Sequence, residues 1–188
     1  MSTVANFTLE QYECMVEAGA FDGRLHQRVE LIRGEIREMN PIGSFHSQVV
    51  SDLTDWSYNV TPRAEIAVRV QTTLRMPLQN SAPEPDLVWV KRRRYALQHP
   101  QPEDVLLLIE VAESSLAEDR GEKLPLYAEA GIQECWIANP VDLRIEVYRQ
   151  PVGGTYSFRQ TFEPGTIVSP LSVPTATLSI SELFPNER

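Results

Sequence analysis

A continuous apolar run, Val105-Leu106-Leu107-Leu108-Ile109, continues through Glu110 into Val111-Ala112. Pro102-Glu103-Asp104 precedes it and Glu113-Ser114-Ser115 follows, so the pattern predicts a strand buried on both faces. Elsewhere the alternation has period two. From Glu65 to Arg75, Ile66, Val68, Val70 and Leu74 face one way, and Ala67, Arg69, Gln71, Thr73 and Arg75 the other, which predicts a half-buried strand. Asp86 to Val90, Cys135 to Ala138 and Arg144 to Tyr148 read as further strands. Val29 to Ile32 and Glu35 to Met39, around Arg33-Gly34, read as a hairpin.

Three segments have helical period. Thr8, with Gln11 in the capping-box position, opens a helix carrying Leu9, Tyr12, Met15 and Val16 to about Ala18. Ser44 is the expected cap of a second, with Val49, Val50, Leu53 and Trp56 along one stripe. Glu118 to Ala130 is the third, stopped by Gly131; Pro125 within it predicts a kink or a start near Leu124. Gly19 to His26 is an expected turn, Asn40 to Gly43 a break, and Asn80 to Pro85 a loop. Tyr156 to Leu178 reads as a further hairpin and edge structure, ending at Ile180 to Phe184. Mixed strands and few helices make this an α/β (α+β) fold, expected as one domain over residues 1–188.

Composition changes the picture only by exclusion. The 188 residues are 42% hydrophobic and 23% charged, ordinary for a globular chain. No apolar run approaches the roughly 20 residues of a membrane span, and the start lacks a secretory pattern. Cys14 and Cys135 form neither a disulfide framework nor a zinc site, so free thiols in a reducing cytoplasm are expected. A net charge of -9 argues against coating nucleic acid by bulk electrostatics. An enzyme acting on a polyanion stays open, because bound cations reverse the sign locally. G-x-S-x-G, G-x-x-x-x-G-K-[ST] and G-x-G-x-x-G are all absent.

Glu110 is the first candidate for chemistry, since an ionised carboxylate alone in an apolar strand costs several kcal/mol. Asp86 opens a strand expected beside it. Two like charges about 4 Å apart, at an effective dielectric near 20, repel by about 4 kcal/mol. A divalent cation removes that penalty, and oxygen ligands suit magnesium or manganese; salt bridges to arginine are the alternative. Lys123, four residues beyond Asp119 and four before Tyr127, shares a helix face with both. It can reach back to Glu110, or simply pair with Asp119. Glu30 is either a supporting carboxylate or an arginine partner, and His46, in the first turn of its helix, either a phosphate contact or a surface residue. The run Lys91-Arg92-Arg93-Arg94 is either a contact to a nucleic-acid backbone or a solvated turn.

Several motifs resemble the Uma2 family of endonucleases, a branch of the PD-(D/E)xK nuclease superfamily. They are Glu30-Leu31-Ile32-x-Gly34-Glu35, Met39 to Gly43 with His46, Pro85-Asp86, Leu108 to Ala112, Asp119 to Lys123, and Tyr127 to Trp136. The likeness covers a core of about residues 8–148; the extension 150–188 is less distinctive. It implies a restriction-endonuclease-like mixed sheet flanked by helices, and magnesium-dependent hydrolysis of DNA phosphodiesters. Asp86 and Glu110 become metal ligands, and Glu30 and His46 match earlier motif residues. The superfamily lysine two residues after the glutamate is Ala112 here, and the resemblance moves that role to Lys123. Ala112 and the acidic charge also motivate an alternative, an inactive nuclease-fold module that binds DNA or regulates. DNA is the expected partner, no membrane is, and the sheet edge near the tail suggests a homodimer.

Overall fold

The computed structural model describes residues 5–22 and 28–185, so the His26 end of the expected Gly19–His26 turn lies outside the described residues. Thr8 caps α1 (Leu9–Glu17) through the capping box with Gln11. The hairpin of β1 (Val29–Ile32) and β2 (Glu35–Glu38) turns at Arg33 and Gly34, whose φ values of 50° and 84° give the doubly left-handed turn that suits strand twist. In α2 (Ser44–Val60) the N-cap is Gly43 rather than Ser44, and no side chain caps the helix.

Six strands then form the central sheet, in the order β3 (Ile66–Val70), β4 (Leu87–Lys91), β5 (Val105–Val111), β6 (Glu134–Asn139), β7 (Arg144–Val152) and β8 (Thr155–Phe162). Among the described residues only β5 and β6 pair in parallel. The helical crossover between them has three parts: α3 (Leu116–Glu118), a π-helical turn (Asp119–Lys123) and α4 (Leu124–Glu129). The Leu124 N–H reaches back five residues to the Asp119 carbonyl. Pro125 has no N–H and its ring crowds the carbonyl four residues earlier, and the wider turn accommodates it. Of the two sequence options for Pro125, the structure realises the start at Leu124.

The alternation from Glu65 to Arg75 does not continue as a strand. β3 stops at Val70, and Gln71 turns to a φ of 46°. Its N–H bonds the Asp86 carbonyl, so the local rule is broken where the chain bends beside a candidate site residue. The tail also departs in detail: β8 is an edge of the main sheet. Ile167–Val168 (β9) pairs separately with Leu178–Ser179 (β10), before α5 (Ile180–Leu183).

The sheet separates two cores. Leu87, Trp89, Leu107, Ile109 and Trp136 meet Val49 and Leu53 of α2 and Phe184 beyond α5. Trp56 stacks on Trp89 and Trp136, with centroids 5.2 and 5.8 Å away. On the other face Val88, Leu108, Cys135 and Ile137 meet Leu126 and Tyr127 of α4. Among the described residues no helix is long and apolar enough to cross a membrane.

Candidate active site

Leu87 pairs with Ile109, so Asp86, one step before β4, stands opposite Glu110. By alternation both share the α4 face with Val88 and Leu108. Asp86 is anchored by three donors. Its Oδ2 accepts from the Val111 N–H at 2.8 Å and lies 3.1 Å from His46 Nε2, and its Oδ1 accepts from Gln71 Nε2 at 3.2 Å. Its own N–H points to Glu110 Oε2 at 3.3 Å. The other oxygen of Glu110 accepts from the Tyr127 hydroxyl at 2.6 Å and lies 3.7 Å from Lys123 Nζ. Lys123 also sits 3.1 Å from Glu30 Oε2. The hairpin carrying Glu30 is tied to the crossover by Arg37 to Glu122 and by Arg33 to Glu129.

Five candidates, Glu30, His46, Asp86, Glu110 and Lys123, therefore converge from a hairpin, a helix start, two strands and the π-helical turn. All line one cleft of about 110 Å³. The run Lys91 to Arg94 does not join them. It follows β4 at the end opposite Asp86, roughly 17 Å along the strand at about 3.4 Å per residue. There Lys91 donates to the Glu103 carbonyl and Arg93 pairs with Asp104. Sequence reading missed Gln71 as a site residue, and gave no contact to Tyr127, which is fully buried against Glu110. A larger cavity of about 740 Å³ beside α1, lined by Tyr12, Phe21, Tyr95 and Leu97, holds none of the five. Size does not mark the chemistry here; the converging charged groups do.

The cleft is strongly acidic. Glu30, Glu38, Glu84, Asp86, Glu110, Glu113, Glu118 and Asp119 line it, against the cations Arg28 and Lys123 and the imidazole of His46. Burial, joined by Asp119 and Asp86, pushes the Glu110 carboxyl up to about 8, although Lys123 pulls the other way. Burial likewise lifts Asp119 to about 6, against the Ser115 hydroxyl that bonds it. The hydrogen bond to Asp86 raises His46. Burial opposes ionisation of Asp86, yet His46, the Val111 N–H and Gln71 together hold it below its ordinary range. Burial also works against a charged Lys123, but Glu110, Glu30 and Asp119 raise it well above the usual lysine value.

A consequence for stability follows. A carboxyl raised on folding stabilises the folded state below its unfolded value, and that contribution is lost as pH rises through the folded one. Glu110 therefore contributes a loss between about 4.5 and about 8, and the raised His46 one of the same sign above 6.5. With a chelator present, the melting temperature is expected to fall between pH 6.5 and 8. Each group adds at most about 1.4 kcal/mol per pH unit. Glu110→Gln should flatten the slope to the share left by His46; an unchanged slope would refute the assignment.

Among the described residues no three His, Cys, Asp or Glu side chains converge as a ready-made ligand set. Two facing carboxylates in an acidic cleft instead fit a hard cation that keeps several of its waters. A central mixed sheet with this carboxylate pair at one end, beside a buried lysine, defines a protein of the restriction-endonuclease-like class. A crystal structure described as a putative nuclease belonging to DUF820 from Anabaena variabilis ATCC 29413 has the same fold. It is 18% identical, with a TM-score of 0.73 over 95% of this chain and 97% of that one. Among curated proteins none matches this sequence. The model of the family Uma2, described as "Putative restriction endonuclease", matches residues 9–181, running through the extension beyond residue 148. The chain belongs to the Uma2 family.

Proposed function

We propose that the chain is a metal-dependent endonuclease, cutting DNA phosphodiester bonds by water attack in the cleft of Asp86 and Glu110. The observation that carries this reading is the convergence of two carboxylates and Lys123 at one end of the sheet, in a cleft too acidic to admit a polyanion unaided. Asp86 and Glu110 are the residues that would hold magnesium or manganese. Once bound, the cation supplies Lewis acidity to the phosphate and lowers the pKa of a bound water.

The chain's own groups do the rest. Glu30 holds the Lys123 ammonium at 3.1 Å, so Lys123 stays charged and points its donors at the Glu110 side of the cleft. From there it stabilises charge on a phosphate oxygen or orients the attacking water. Tyr127 fixes the Glu110 carboxylate from the buried side. Val111 and Gln71 fix Asp86 without closing the cleft, and His46 turns towards the same wall. Ala112, where the superfamily pattern has its lysine, is buried in the α4 core, and Lys123 delivers the ammonium instead. The reading treats residues 1–188 as one catalytic domain.

The test uses purified chain, supercoiled plasmid and magnesium or manganese, beside calorimetric titration of the metal. Nicked or linear product and millimolar or tighter binding are expected. Intact plasmid and no heat of binding with either metal would contradict the reading and favour the inactive module.

A further inference from the structure

We infer that Arg120, Arg144 and Arg159 form a subsite for a backbone phosphate of the bound strand, beside the cleft; this rests on the nuclease reading above. Glu110 is in register with Ile137, and Ile137 with Glu146. Glu146 thus lies on the same sheet face two strands away, about 10 Å at the usual strand spacing. It is inaccessible to solvent, yet its carboxyl is held below the ordinary range.

One cation would suffice to neutralise it, and Arg120 already does so with two donors, Nε at 3.0 Å and Nη2. The Tyr148 hydroxyl adds a third donor at 2.6 Å. Two more arginines nevertheless converge. Arg159 Nη2 lies 3.1 Å from Oε2, and Arg144 Nε 3.3 Å from Oε1. Three guanidiniums against two carboxylates, Glu146 and the Asp142 that Arg144 also meets at the rim, leave a surplus of one positive charge. That surplus stands out in a chain of net charge -9.

Donors are in surplus as well. Each guanidinium has five N–H groups, and the buried Arg144 Nε, although 3.3 Å from Glu146 Oε1, makes no well-directed hydrogen bond among the described residues. Arg120 and Arg144 are about one third exposed and Arg159 is 55% exposed, so the cluster opens to solvent. Arg120 follows Asp119 directly on the π-helical turn, so the wall of the cleft runs straight into the cluster. Successive phosphates of one DNA strand are further apart through space than their axial rise of about 3.4 Å, so a point about 10 Å away meets the same strand one or two nucleotides from the scissile bond. A planar fork is the side chain suited to that ligand.

The experiment measures affinity for a labelled DNA duplex by anisotropy across a salt series. Calcium replaces magnesium, and duplex integrity is checked on a gel. Arg159→Gln and Arg144→Gln are each expected to weaken binding several-fold for any sequence, and to reduce the salt slope by about 0.9. Arg63→Gln, at the opposite end of the sheet, should leave both unchanged. Should Arg144→Gln melt early, Arg159→Gln, on the exposed edge strand, decides. Unchanged affinity and slope in Arg159→Gln and Arg144→Gln, beside a wild type that binds and cleaves, would overturn the subsite alone. A wild type that neither binds nor cleaves removes the nuclease reading, and the subsite with it.

Discussion

Lys123→Met is expected to be among the most destabilising single changes in the chain, costing about 3–5 kcal/mol at pH 8. That is the range for removing one partner of a buried ion pair and leaving the other charge uncompensated. Here two acids lose their cation, Glu30 at 3.1 Å and Glu110 at 3.7 Å, and all three side chains are less than one tenth exposed. For a chain of this size the loss lowers the melting temperature by roughly 10 °C. The effect should shrink towards pH 5, where Glu110 takes up a proton. It should also shrink in the double variant Lys123→Met/Glu30→Gln, because the amide needs no counter-charge. Thermal melting of the single and double variants at both pH values checks this. A Lys123→Met protein as stable as wild type at pH 8 would mean that the ammonium does not compensate those carboxylates.

Much of the architecture is visible in the sequence, because its signals are local. Short apolar runs and β-branching mark β4 to β7, the capping box marks α1, and Arg33-Gly34 marks the first hairpin. Glu110 announces itself as a charge where charge is costly. What the sequence hides depends on contacts between distant segments. Gln71 sits in a clean alternating pattern and gives no sign that the strand stops at Val70; the reason is Asp86, fifteen positions on, which takes both its N–H and its side-chain amide. The basic run after β4 stands out by composition, but chain direction carries it to the end of the strand away from Asp86. Arg120, Arg144 and Arg159 are scattered over forty residues and acquire meaning only from the register that brings them to Glu146. Spacing of four residues does place Lys123 and Tyr127 on the side of Glu110, although the turn between Asp119 and Lys123 is π-helical rather than α-helical.

The second large effect concerns chemistry. Asp86→Ala and Glu110→Ala should each reduce metal-dependent cleavage by about a thousandfold or more. Removing a single preorganised electrostatic group from an active site costs about 10² to 10³ in rate, and these two also hold the cation. The losses should not add, since either change empties the same position.

The most direct measurement is a time course of plasmid nicking by purified wild type, Asp86→Ala and Glu110→Ala, each at equal concentration with magnesium. Product from the wild type and none above background from either variant is the predicted result. Cleavage that proceeds undiminished without those carboxylates would contradict the account.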